Sequence, residues 1–592
     1  MNIFKDNSKI LIIFLFFYLI LLNLFQLSDQ HWSSMLDLDI VMIYNSLLIS
    51  SGIEQEFRDH PSYTTFLILG GIFKLLSIFF ENFLIQEILN SENIDENLQK
   101  FFIIGRILNS IYLFLLAFVL FNILKLLNIK KNLSVLLVLL ILILQDTYEL
   151  LFLIRSEVLS ILMILFFLNF LIKFIKKKKI KHLVISGFFL CLAMLAKIQV
   201  IFLFFTFLIS LPFLINYINA SKQNFFYNKN YYILNITFLF LFLASYILTQ
   251  LIFDITFLSE LNDERYYFAQ NLDSILLIVF VIFYSFYINI LTKKNLAKPY
   301  EIIIIISSIL TGFILCVLFI IFLDIINLIP FNKSILTRLT NPLEHMLVFT
   351  SAYKPNVGIS DGISNIILGI GGYLDMNFDK NTDITPILFL DPRNFFRTLQ
   401  VLFFILLIYF SIKKIKNKNI HYLSISLFIG IIIQYLIFNL RETHGYNMYL
   451  FPLFLIIVSI IFSELKKKAI VVPYLIIFTI FISENIVLSD IHNNAFSREP
   501  RVYEICKYEK IETSKWRNSE NYLNNYNNTA FIKLVRDPKF WFYKYTKKFA
   551  PSINENGKIK GLESEDVFFK KYCNQIKKEK NFRSHSYKLK PQ

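Results

Sequence analysis

The chain has 592 residues, 56% of them hydrophobic, with a mean hydropathy of +0.57 and a formal net charge of +16. A soluble protein of this length exposes far more polar surface, so lipid is read as the solvent for much of it. The lysines gather in short connectors (Lys130–Lys131, Lys176 to Lys179, Lys293–Lys294, Lys413–Lys414, Lys466 to Lys468), a pattern of cytoplasmic loops under the positive-inside bias that excludes a nucleic-acid patch.

The first apolar run, Ile10 to Leu27, follows Lys5 and Lys9 and is not followed by a small-residue cleavage site, so it reads as an uncleaved span with a cytoplasmic N-terminus. Residues 28–103 form a first outer loop in which acidic side chains outnumber basic ones. Within it, Ile40, Ile43, Leu47 and Leu48 recur at helical spacing after Asp39, and Gly52 ends the pattern, which predicts a short helix along the membrane surface. His60-Pro61 breaks the chain, and residues 62–80 are predicted as a second interfacial helix, because Lys74 sits in its middle.

Spans follow at about 104–126, 133–146 and 153–173. The run 182–217 is too long for one helix and carries Lys197-Ile-Gln near its middle, which predicts two spans joined by a tight outer turn. Further spans fall at about 232–252, 272–291, 301–324, 396–412, 420–438, 447–463 and 470–487, with a long outer loop at 325–395 whose glycines suit a lid or an irregular connector. About thirteen spans result, every Lys cluster falls on one side, and residues 488–592 are placed outside as a small domain. Four cysteines occur; Cys191 and Cys316 lie in apolar runs, while Cys506 and Cys573 in the tail are either a disulfide or two free thiols.

Chemistry is expected where polar groups meet the boundary. A carboxylate held there can accept a proton from a hydroxyl that attacks a lipid-borne electrophile, a role Asp37 or Asp39 could fill; the plainer reading is helix capping. Arg106, Lys197 and Arg441 read either as partners of a leaving phosphate or as snorkelling cations that anchor helix ends.

The order of these features resembles the GT-C glycosyltransferases, a superfamily that includes protein O-mannosyltransferases and the aminoarabinose transferase of lipid A. An acidic residue and a Tyr-bearing helix follow span one, then Gly52, His60-Pro61 with an interfacial helix, and Arg106 opening span two. Two later segments agree: Tyr148 to Glu157 resembles the acidic turn before the family's fourth span, and Ser186 to Lys197 resembles its fifth. The resemblance covers roughly residues 1–210 well and the rest in layout only.

It implies an all-α polytopic fold, with residues 1–487 as the catalytic module and 488–592 as an extracytoplasmic domain, in a cell inner (plasma) membrane. It implies an inverting enzyme that moves a sugar from a polyprenyl phosphate donor to a glycan, lipid or protein acceptor. The base would be Asp39, with Asp37 second; Tyr44, His60, Arg106, Glu157, Lys197, Arg441, His444 and Tyr449 would bind substrate. Tyr44 follows Asp39 by five residues where the family has four, and the family's second acid beside the Asp is missing. Asp37-Leu-Asp39 also resembles a DxD metal site, and oligosaccharyltransferase relatives bind a divalent ion; mannosyl- and aminoarabinosyl-type relatives work without one and no His cluster is nearby, so the absence of a cofactor is favoured over a divalent cation. The rival classes are a transporter or flippase of lipid-linked glycans, which predicts repeated span groups broken at mid-membrane, and a non-catalytic assembly factor with a glycan-binding basic tail.

Overall fold

The computed structural model describes residues 39–53, 62–81, 94–143, 153–219, 272–294, 298–330, 418–438 and 451–464, with Phe17, Gln55, Phe83, Leu84, Leu150 and Leu339 besides. The spans expected at 10–27, 232–252, 396–412 and 470–487, the loop 331–395 but for Leu339, and the tail 488–592 lie outside these residues. Among the described residues all regular structure is helical: α1 (Asp39–Ser50), α2 (Tyr63–Leu76), α3 (Ile94–Leu126), α4 (Lys131–Ile143), α5 (Ser156–Lys177), α6 (Lys181–Ala196), α7 (Ile201–Asn219), α8 (Leu272–Lys293), α9 (Pro299–Ile325), α10 (Lys418–Phe438) and α11 (Phe451–Glu464). Among the described residues four stretches are long and apolar enough to cross a membrane: Gln99–Leu126, Ser156–Lys177, Ile198–Ile218 and Pro299–Ile325.

Local sequence explains the ends. Gly52 takes φ +76°, its N–H bonds Ile49 O, and the next N–H, of Ile53, bonds Leu48 O at 2.9 Å, so a Schellman turn closes α1. Asn128 (φ 61°) closes α3 and Asn327 (φ 53°) closes the α9 end in the same way, the side chain of Asn being one of the few that tolerates that conformation. Helix α3 begins at Ile94, about ten residues before the expected span. The polar residues 95–97 read as loop, yet the backbone there is already helical. Conversely α2 stops at Leu76, short of the expected 80.

Two apolar clusters form. The larger joins α3 to α11 along their lengths. The smaller is formed by α1 and α2 with Phe101 and Phe102 of α3, with Ile154, with Cys191 and Leu195 of α6, and with Cys316 and Ile320 from the second half of α9. Gly70 lets α2 approach α1, since a Cβ there would stand 2.7 Å from Ser46 O. Gly187 and Gly312 do the same for α6 and α9: a Cβ on either would strike a backbone carbonyl of the other helix, Ile309 O and Val184 O respectively.

Charged side chains sort to two poles. At one, Lys176 Nζ donates to Asn128 Oδ1 at 3.2 Å, and Lys178 feels Glu301 and Lys298, so the turns α3–α4, α5–α6 and α8–α9 meet. Burial pushes the Lys178 ammonium below its ordinary range there. At the other pole α1 and α2 cover the bundle: Lys74 Nζ donates to Leu328 O at 2.9 Å, and Thr64 Oγ1 to Leu192 O at 2.8 Å. The lysine connectors that the sequence assigned to one side therefore stand together, as far as they are described; Lys413–Lys414 and Lys466 to Lys468 lie outside the described residues.

Candidate functional site at the covered pole

Helix α1 starts on Asp39, and its first turn is inserted between α3 and the turn that precedes α5. The Asp39 side chain is fully buried. Its Oδ1 accepts the Ile154 N–H at 3.0 Å, across 115 residues of sequence, and its Oδ2 has no hydrogen-bond partner among the described residues. Burial pushes this carboxyl up to about 7, while the Arg106 guanidinium and the Ile154 N–H pull against that rise. A carboxyl poised near neutrality can take or give a proton at working pH.

Arg106 lies twelve residues into α3, roughly 18 Å from its start. Its side chain is fully buried, is electrostatically coupled to Asp39, and passes over the Phe102 ring with the guanidinium carbon 5.8 Å from the centroid. One turn further along the same face stands Asn109, whose Nδ2 donates to Leu150 O at 3.3 Å and also to Leu153 O. Gly105, on the preceding residue, leaves room for Ile154: a Cβ would meet Ile154 Cδ1 at 2.6 Å.

Glu157 sits in the first turn of α5 and Lys197 caps the end of α6 with extended backbone, φ −157°. Lys197 Nζ meets Glu157 Oε1 at 2.8 Å, and both side chains are almost wholly buried. Lys197 therefore does not snorkel to solvent. It marks the expected break in the run 182–217, where a short 3-10 turn, Ile198–Val200, leads into α7. From that break α7 runs back beside α5, with Phe204 and Phe207 against Phe167.

The fold thus gathers Asp39, Arg106, Glu157 and Lys197 at one pole. Tyr44 is placed differently. Five residues along α1 is roughly 140° round its axis, and the ring is buried in the smaller apolar cluster. Asp37, His60, Arg441, His444 and Tyr449 lie outside the described residues. Sequence reading missed Gly105, Asn109 and the turn at Ile154. The available signal was Asn109, an amide three residues after Arg106 on one helix face in an otherwise apolar run. No group of three or more His, Cys, Asp or Glu side chains is arranged to hold a metal ion among the described residues, of which Asp37 is not one.

Among the described residues the chain is all-helical, has helices of membrane-spanning length, and buries the Asp39 carboxyl of α1 where it feels the Arg106 guanidinium of α3. No family model matches the chain, and comparison with curated proteins finds no match either.

Proposed function

We propose that the chain is a multi-pass enzyme of a cell inner (plasma) membrane, a glycosyltransferase moving a sugar from a polyprenyl phosphate donor to an extracytoplasmic glycan, lipid or protein. The lysine pole would face the cytoplasm and the α1–α2 pole the outside. The observation that carries the reading is Asp39: a carboxyl at the start of the first-loop helix, held near neutrality, with one oxygen fixed by Ile154 N–H and the other unpartnered among the described residues.

In the reaction, Oδ2 of Asp39 takes the proton of the acceptor hydroxyl while that oxygen attacks the anomeric carbon. The bond from that carbon to the phosphate oxygen breaks, the polyprenyl phosphate leaves with the electron pair, and the configuration inverts. Oδ1 stays on the backbone, which fixes the direction in which Oδ2 points. The leaving phosphate needs positive charge. Lys197 is already compensated by Glu157 and Arg106 by Asp39, which favours Arg441, with His444 and Tyr449, for that task. Asp39 is enclosed in this conformation, so acceptor binding must open the α1 cover.

That enclosure favours a second reading, a proton-coupled carrier of lipid-linked glycans, in which the buried Asp39 binds and releases a proton as the cover opens and closes. One experiment separates the two: the purified chain in lipid vesicles, given polyprenyl phosphate sugars and an envelope-glycan extract. The enzyme reading expects free polyprenyl phosphate, a product of inverted anomeric configuration, and loss of both in D39N. Transmembrane movement of intact donor without its cleavage would replace that reading with the carrier.

A further inference from the structure

Asn109 touches neither Asp39 nor a charged partner in any bond given above, yet it is buried and its amide ties together the chain around the site. Its Nδ2 donates to Leu150 O at 3.3 Å and to Leu153 O, the carbonyl of the residue just before Ile154. Ile154 in turn offers the N–H that fixes Asp39 Oδ1 at 3.0 Å, and its side chain is seated against Gly105, one turn before Asn109 on α3. The turn is therefore clamped at two places on α3, by an amide on its carbonyls and by a missing side chain beneath Ile154. Arg106 stands between those two places on the same helix.

We propose that Asn109, acting through Leu153 and Ile154, is the positioning residue for Asp39. The inference rests on the reading of Asp39 as a proton acceptor, but the contacts that carry it do not involve a donor or an acceptor. Loosening the clamp lets the Ile154 N–H swing away, and Asp39 then loses a donor that favours its charged form. The other charged groups around α1 do not replace it. Arg106 on α3 is coupled to Asp39 already, Glu157 on α5 and Lys197 on α6 are bonded to each other, and Lys74 on α2 is bonded to Leu328 O. Arg155, beside Ile154, moves with the turn itself.

The test is the proton affinity of Asp39, read by infrared difference titration of its carboxyl band in the full chain in lipid, with D39N as the blank. N109L keeps the branched four-atom shape, with somewhat more bulk, and removes the donor. The variant G105A pushes on Ile154 from beneath: the added Cβ would stand 2.6 Å from Cδ1, 3.1 Å from Cγ1 and 3.3 Å from Cγ2, so the residue as a whole, and not its tip alone, must give. Both variants are expected to move the Asp39 titration upward by about one pH unit, a tenfold tighter proton. N109H, which retains a ring N–H at a similar reach, is expected to recover most of the shift. If N109L folds and titrates at the wild-type pH, Asn109 is only structural and the proposal falls; if N109L does not fold, N109S, too short to reach either carbonyl, decides in its place by the same criterion. Because the titration needs no turnover, a chain with no transferase activity would sink the function proposed above and leave this outcome readable.

Discussion

The Glu157–Lys197 pair offers the cleanest perturbation. At 2.8 Å, with both side chains almost wholly buried, it is not a surface bridge worth a fraction of a kcal/mol. Replacing Lys197 by Met keeps the stem and leaves a carboxylate shut in an apolar setting, at a cost of about 3–5 kcal/mol. Replacing both partners, E157Q with K197M, removes the stranded charge, so the double variant is expected within about 1 kcal/mol of wild type. The coupling energy of the cycle should then exceed ~2 kcal/mol. Buried thiols supply the assay. In a C506S/C573S background the remaining cysteines, Cys191 and Cys316, are both buried, and a thiol-reactive fluorophore reports their exposure as unfolding proceeds. If the pair is lost in the transition state, K197M unfolds roughly 150- to 5,000-fold faster at fixed temperature, with the double variant near the wild-type rate. Equal rates for K197M and wild type would refute the view that this pair is shielded from water.

Other outcomes follow from the same geometry. Because burial raises the Asp39 carboxyl from 3.8 to about 7, the folded chain binds a proton that the unfolded chain has released between those values. This favours the folded state at low pH and is lost as pH rises through about 7. A rise of about three units corresponds to about 4 kcal/mol, so D39N should gain on wild type by up to that amount between pH 4 and pH 8, measured by unfolding rates across pH; parallel profiles would contradict it. A G312L side chain would drive into Val184 O, and α6 and α9 should separate at a cost of at least 1–3 kcal/mol, roughly, seen as loss of monodisperse protein in detergent. Exposed Glu81 near α2 and exposed Lys179 between α5 and α6 mark the two poles. In intact cells, in the C506S/C573S background, an impermeant thiol reagent should label E81C and spare K179C; the reverse pattern would turn the assigned topology over.

Much of the helical layout was legible because lipid-facing helices announce themselves by length and hydropathy. The α1 limits were readable from Asp39 and Gly52, since a dipole-favoured acid and a left-handed residue are local signals. The α3 start was not, because Asp95, Glu96 and Asn97 look like loop until the helix they begin is packed. Glu157 and Lys197 each stood out as charges in apolar surroundings, but 40 residues separate them and only the α5–α6 hairpin brings them together. The Asp39–Ile154 bond is beyond any local pattern: a backbone N–H in a short turn has no sequence signature, and 115 residues intervene. Asn109 was passed over for the same reason, since its partners are carbonyls and every residue has one.

The most direct measurement is the pH dependence of kcat/KM for sugar transfer by the reconstituted chain, set beside D39N and D39E. With Asp39 as base, activity should fall on the acid side with an apparent pKa near 7, vanish in D39N, and persist in part in D39E. A D39N chain that transfers sugar at the wild-type rate, with an unchanged acid limb, would contradict it.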